Sequence, residues 1–201
     1  MKEDKEVLIE QLKRYGYIKS KRVEQAFLSV PRELFVPGYL RDYAYADTPL
    51  EIGSGQTISA PHMVAIMCEA LELTEGQRVL EVGAGSGYHA AVVAKIVGDK
   101  GHVYTVERIL ELAEKAKTNL KKAGVENVTV TVGDGSLGLP EHAPYDRIYV
   151  TCAAPSIPPP LEEQLKENGI ILIPVGGTFC KLVKGVKVKG KLETEELGGC
   201  A

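Results

Sequence analysis

From Gln77 onward, short apolar runs alternate with stretches whose apolar residues recur at helical spacing, the pattern of βαβ units around a mostly parallel sheet. The runs predict strands over residues 78–82, 103–106, 128–132, 147–150 and 170–173. Between them, Tyr88, Ala91, Val92 and Lys95 share one face of a first helix, and Leu110, Ala113 and Leu120 one face of a second that Gly124 closes. A third helix around Leu161 and Leu165 should end at Gly169. The chain before Leu73 reads differently: Val7, Leu8 and Leu12 mark one amphipathic helix, and Val23, Phe27 and Leu28 another that stops before Pro31. Turn-forming residues around Pro37, Pro49 and Gly53 then lead to an apolar helix that Pro61 suits as first residue and that runs to about Leu71. Past Pro174 a loop gives way to a hairpin over residues 184–192 that turns at Gly190. The expected fold is α/β, a doubly wound, mostly parallel, Rossmann-like sheet with an N-terminal helical extension.

Composition narrows the class. With 201 residues, 44% hydrophobic and 25% charged, the chain is an ordinary globular one, neither disordered nor fibrous, and long enough for one domain with its own core. No apolar run approaches the roughly 18 to 20 residues of a membrane helix, and the first ten residues are charged rather than signal-like, so a soluble, cytoplasmic protein is expected. Cys68, Cys152, Cys180 and Cys200 are widely separated, with no Cys-x-x-Cys pair and no zinc-like His spacing, and read as reduced thiols without a metal. A net charge of −3 argues against a dedicated nucleic-acid binder. The lysines from Lys181 to Lys191 read as the solvated face of the hairpin, with Val183, Val186 and Val188 on its apolar side.

The chemistry starts at Val79-Leu80-Glu81-Val82-Gly83-Ala84-Gly85-Ser86-Gly87, where a buried strand runs straight into a glycine-rich turn and a helix. Glycine tolerates positive φ and lets a ligand come closer than a Cβ would, while the following helix offers free N–H groups. A dinucleotide fingerprint would need its third glycine at position 88, which is Tyr88. The acid Glu81 beside the turn would repel a pyrophosphate and suits a ligand that carries an ammonium. Glu107 ends the next strand, about 24 residues beyond the turn, where both hydroxyls of a ribose can donate to it; it could also cap a helix or pair with Arg108. Asp134, in Gly133-Asp134-Gly135, ends the third strand, where a carboxylate can accept from an adenine amine. All three acids stand at the carboxyl ends of neighbouring strands and so border one crevice.

The acidic-x-Gly-x-Gly-x-Gly pattern from Glu81 resembles the first motif of class I methyltransferases. Gln56-Thr57-Ile58-Ser59-Ala60-Pro61-His62-Met63 resembles the segment that sets protein-L-isoaspartate O-methyltransferases apart within that class. Further likeness lies in residues 81–88, Gly133-Asp134-Gly135, Ala143-Pro144-Tyr145-Asp146 and Ile173-Pro174-Val175-Gly176, so that it runs from about Val7 to Gly176. The resemblance implies S-adenosylmethionine as cofactor, S-adenosylhomocysteine as product and no metal. It implies methyl transfer to the free α-carboxylate of L-isoaspartyl residues in damaged proteins and peptides, which initiates their repair. Ser59 falls on the family's catalytic serine. Gln56, Thr57, Ile58, Glu81, Gly83, Gly85, Gly87, Glu107, Asp134 and Gly135 fall around the cofactor, and His62, Thr151, Cys152 and Ala153 on the substrate side.

The implied organisation is a single, monomeric methyltransferase domain over residues 1–201, with no nucleic-acid or membrane partner. It comprises an N-terminal helical extension (1–75), a cofactor-binding α/β core (76–175) and a C-terminal hairpin region (176–201). The family sheet has seven strands with an antiparallel last strand, commonly has Gln near Cys180, and closes with Phe-Val-Pro-Leu. This chain stops at Gly198-Gly199-Cys200-Ala201, so either it is truncated or its last strand is absent.

A carboxylate with a pKa of about 4 is ionised at neutral pH and attacks a sulfonium methyl without a general base, metal or activated nucleophile. What remains for the protein is alignment and the exclusion of water, effects that together supply roughly 7 to 11 kcal/mol. Ser59 could orient the acceptor carboxylate through its hydroxyl, or serve as an N-cap worth about 1 kcal/mol to the helix at Pro61. His62 could face the same pocket or the helix surface. Two other functions suit the same turn. One is a class I methyltransferase for a small molecule or RNA, although the Asn/Asp-Pro-Pro-Tyr motif of nitrogen methylation is replaced by Thr151-Cys152-Ala153-Ala154. The other is a non-catalytic module that binds the cofactor.

Overall fold

α1 (Lys2–Arg14) buries Leu8, Ile9 and Leu12, and α2 (Lys21–Ser29) buries Val23, Ala26 and Phe27, stripes at helical spacing that leave the charged residues outside. Val7 and Leu28, expected on those faces, are exposed; Ile9 and Ala26 complete the covered stripes instead. The structure, a computed structural model, describes residues 2–177 and 179–200. No helix among them is long and apolar enough to cross a membrane. Two 3₁₀ turns, Arg32–Leu34 and Gly38–Tyr43, lead to a small antiparallel hairpin of β1 (Leu50–Gly53) and β2 (Gln56–Ile58), followed by α3 (Pro61–Ala70).

The main sheet contains β3 (Arg78–Val82), β4 (His102–Glu107), β5 (Val128–Val132), β6 (Tyr145–Val150), β7 (Leu165–Gly176), β8 (Cys180–Val188) and β9 (Lys191–Cys200), in the spatial order β5-β4-β3-β6-β7-β8-β9. Every pairing from β5 to β7 is parallel, whereas β8 runs antiparallel to β7 and β9 to β8. α4 (Tyr88–Val97), α5 (Leu110–Lys122) and α6 (Pro159–Gln164) connect the parallel strands. The chain starts at β3, winds outward to β5 and returns on the other side at β6, so the strand order reverses between β3 and β6. That is where the carboxyl ends of an open sheet leave a crevice.

Each predicted strand lies within an observed one, and the disagreements cluster near the C-terminal edge. α6 ends at Gln164 rather than at Gly169 because Leu165 already pairs with Tyr145 of β6. The hairpin is longer than residues 184–192 and turns at Lys189 and Gly190, both at positive φ (51° and 75°). The described sheet has seven strands, the last of them, β9, being the second strand of the hairpin rather than a Phe-Val-Pro-Leu segment, and it is β8 rather than the last strand that opposes the parallel set. The lysines of β8 are tied rather than simply solvated: Lys184 pairs with Glu72 at 2.6 Å and Lys187 donates to the carbonyls of Glu162 and Leu165.

Alternation along the strands divides the core into two layers. Val79 of β3 and Tyr149 of β6 face a cluster with α1 to α5, while Leu80, Val82, Ile148 and Val150 face a second cluster with Leu161 of α6. By the same alternation Glu81 points into the larger layer. α4 is buried on every side except at Lys95, because the sheet covers one face and the N-terminal helices the other; the rings of Phe27 and Phe35 meet Tyr88 edge-on at 6.4 and 5.6 Å. On α5, Leu112, Ala113, Ala116 and Leu120 are buried and Leu110 is exposed, a correction of one position in the predicted face.

Candidate active site

A cleft of about 770 Å³ opens at the carboxyl ends of β3, β4, β5 and β6, and residues 56–59, from β2 into the turn before α3, form its opposite wall. Thirteen of the fifteen residues singled out from the sequence line it: Gln56, Thr57, Ile58, Ser59, Glu81, Gly83, Gly85, Glu107, Asp134, Gly135, Thr151, Cys152 and Ala153. Gly87 and His62 do not.

The glycine turn is fixed by its neighbours. Gly83 has φ +95°, and a Cβ there would sit 2.3 Å from Thr151 Oγ1. Thr151 instead donates its hydroxyl to the Gly83 carbonyl at 2.7 Å and its N–H to the Val82 carbonyl at 3.0 Å. Asn119 donates to the Ser86 carbonyl at 3.0 Å. Gly87, at φ +89°, serves packing rather than ligand contact: its Cβ would lie 3.3 Å from Ala116 and Leu120, so the absence of a side chain lets α4 approach α5.

The three acids differ in environment. Glu107 is buried, and its oxygens accept from Gly85 N–H at 2.9 Å and Ile109 N–H at 3.0 Å. It forms no ion pair with Arg108 among the described residues; it ties the glycine turn to the start of α5, and each oxygen keeps acceptor capacity toward the cleft. Asp134 is exposed, and one of its oxygens accepts from the Ser136 hydroxyl at 2.7 Å and the Ser136 N–H at 3.0 Å, bonds that hold it below the ordinary carboxylate range. Glu81 is fully buried beneath the turn. One oxygen accepts from the Thr105 hydroxyl at 2.6 Å, and the hydroxyl of Tyr149, its register partner on β6, is the other polar group buried beside the carboxyl. Burial pushes the Glu81 carboxyl up to about 8. Arg108 is the only Lys or Arg lining the cleft, against three carboxyl groups. With Glu107 and Asp134 as acceptors at successive strand ends, this set fits a cationic ligand bearing a ribose.

On the opposite wall, Ser59 is not the cap of α3. The N-cap position is Ala60, with no side-chain bond, and the exposed N–H of His62 is satisfied by Asp47, whose Oδ1 accepts from it at 2.9 Å. The Ser59 hydroxyl therefore makes no hydrogen bond among the described residues, while its carbonyl accepts from Arg32 Nη2 at 2.8 Å. Arg32 is completely buried, donates through Nε to the Ala44 carbonyl at 2.9 Å, and lies 4.7 Å from the ring centre of Tyr88. It thus joins the Ser59 segment to the helix that follows the glycine turn. His62 directs Nδ1 to Asp47 at 2.9 Å and lies tilted against the Tyr17 ring at 5.6 Å, and it does not line the cleft.

Sequence reasoning missed Arg32, Asp47, Tyr88, His89 and Arg108. His89 sits between Cys68 Sγ, at 3.7 Å, and the Tyr149 ring, at 4.5 Å, and burial lowers its pKa to about 3, so it is neutral. A signal existed only for Arg32, which with Glu33 interrupts the apolar residues between Val30 and Val36, and a core-facing segment admits a charge only with partners.

A doubly wound sheet with a glycine-rich turn at its switch point, bordered by carboxylates on three successive strand ends, defines a class I S-adenosylmethionine-dependent methyltransferase. Within that class, residues 2–201 match the Protein-L-isoaspartate(D-aspartate) O-methyltransferase (PCMT) family, and the chain belongs to it. It is 58% identical over 203 residues to the protein-L-isoaspartate O-methyltransferase of Hyperthermus butylicus, covering 96% of this chain and 84% of that protein. A solved protein-L-isoaspartate O-methyltransferase superposes with a TM-score of 0.92 at 36% identity, over 98% of this chain but only 64% of the longer relative. A Plasmodium falciparum PCMT, solved in complex with S-adenosyl-L-homocysteine, superposes with a TM-score of 0.85 at 28% identity, over 97% of this chain and 94% of that one.

Proposed function

We propose that this chain transfers a methyl group from S-adenosylmethionine to the free α-carboxylate of L-isoaspartyl residues in damaged proteins and peptides. The observation that carries the reading is the unengaged Ser59 hydroxyl, held in the same cleft as the Glu107 carboxylate. Family membership and the resemblance at Gln56-Thr57-Ile58-Ser59 support the substrate class. When bound, S-adenosylmethionine supplies an electrophilic methyl on a sulfonium.

The residues of the chain then have separate tasks. Glu107 and Asp134 would hold the ribose and adenine, and Glu81 lies below the turn where the amino acid portion would rest. Ser59 donates its hydroxyl hydrogen to the substrate carboxylate and sets its direction of approach. Gln56, Thr57 and Ile58 cover the cleft and limit water, and Cys152 and Ala153 form its exposed rim. The Thr151 hydroxyl is committed to Gly83, so its contribution is to shape the wall. No side chain needs to remove a proton, since the acceptor is ionised at neutral pH. We read the protein as a single cytoplasmic domain acting as a monomer without nucleic acid or membrane; its net charge of −3 supports the absence of a nucleic-acid partner.

The test is labelled methyl transfer to two synthetic peptides that differ only in isoaspartate or aspartate at one position. Base-labile label on the first and none on the second is expected. Equal labelling of both, or base-stable label, would overturn the substrate assignment.

A further inference from the structure

β9 is the least covered strand of the sheet: between Lys191 and Cys200 only Leu192 and Cys200 are even partly buried. It pairs with β8 alone, so its attachment rests on that one ladder. Cys200 stands directly opposite Cys180 of β8 in the register, with the two Sγ atoms 3.3 Å apart and the Cys180 thiol donating to the Cys200 carbonyl at 2.7 Å. Directly opposed antiparallel residues have Cα atoms about 4.5 to 5.5 Å apart, inside the range a disulfide spans. Cys68 and Cys152 offer no such pairing: Cys68 is buried against His89 and Cys152 lies at the cleft rim.

We propose that Cys180 and Cys200 form a disulfide that staples β9 to β8. The oxidant is a low-molecular-weight disulfide. One cysteine thiolate attacks a sulfur of that molecule, expels one small thiolate and leaves a mixed disulfide on the protein. The second cysteine then attacks the protein sulfur and expels the other small thiolate. Two protein thiols lose two electrons and two protons, which the two departing thiols carry away. Burial and the neighbouring thiol push Cys200 up to about 12, which slows exchange in both directions and suits a structural staple rather than a rapid switch. In a reducing compartment the pair remains a dithiol.

The folded protein is incubated with oxidised glutathione, quenched in acid, denatured, alkylated and mapped by mass spectrometry. A peptide pair joined through Cys180 and Cys200 is expected. Recovery of the two cysteines alkylated, or as separate glutathione adducts, would overturn the pairing. Amide hydrogen exchange on the oxidised chain and on an untreated, reduced control reads the staple itself: protection across residues 191–200 should rise several-fold on oxidation, and equal exchange in the two would refute the mechanical role.

Discussion

The two walls of the cleft are built on opposite plans. On the sheet side the functional groups already have partners: Glu107 accepts two backbone N–H groups, Thr151 and Asn119 hold the glycine turn, and Glu81 is sealed beneath it. On the other wall Gln56 and Thr57 are exposed, and the Ser59 hydroxyl has no partner, although the Ser59 backbone is held by a buried arginine. A ligand that is the same in every turnover is gripped by groups fixed in advance. An acceptor carried on varied protein chains meets an open rim and a donor kept free for it. Because Asp47 accepts from the His62 N–H at the start of α3, the Ser59 oxygen is not tied to the helix and its hydroxyl is left to turn toward the cleft.

Removing Ser59 should expose the contrast most strongly. Ser59→Ala is expected to lower kcat about 100-fold, the order of loss that follows misplacement of a reacting group by an ångström. Cofactor affinity in calorimetry should stay within about twofold, and urea stability should not change, because no cap is lost. A loss of stability with kcat retained would return Ser59 to a structural role. Glu107→Ala should act on the other wall. Cofactor binding should weaken by at least about tenfold through loss of charge-assisted acceptance. Stability should fall by roughly 2 to 4 kcal/mol as two N–H groups lose their acceptor. Glu107→Gln, which retains one acceptor oxygen, should recover part of the stability and little of the affinity. Unchanged affinity in both variants would remove Glu107 from the cofactor site.

The readability of each wall follows from how local its construction is. The strands at 78–82 and 128–132, the glycine turn and the acids that follow were legible because short apolar runs and strand-end placement are short-range properties. Helix faces were read less well at Val7, Leu28, Lys95 and Leu110, where the pattern presumes one covered side; α4, covered on two, has almost no solvent face to detect. Gly87 resembled its neighbours in sequence but faces α5, and no spacing rule distinguishes a glycine that admits a ligand from one that admits a helix. Arg32 and Asp47 act across 27 and 15 residues of irregular chain, from loops whose course is set by tertiary packing. His62, one helical turn beyond Ser59, was drawn off the cleft by that same unforeseen Asp47.

The smallest expected functional effect tests how dry the sheet wall is. Burial moves Glu81 from its ordinary 4.5 to about 8, so between those pH values the folded chain retains a proton that the unfolded chain has released. Stability must then fall as pH rises through this interval, with no penalty below it and the full penalty above it. Glu81→Gln removes the titration while keeping the shape. Urea unfolding at pH 5, 6.5 and 8 (a range of about three pH units) should show the wild type losing a few kcal/mol more than the variant. Cofactor affinity should drop only a few-fold, because Glu81 reaches the ligand from beneath the turn rather than across the cleft. Parallel stability curves for the two chains would mean that Glu81 carries the same charge folded and unfolded, which a dry wall forbids.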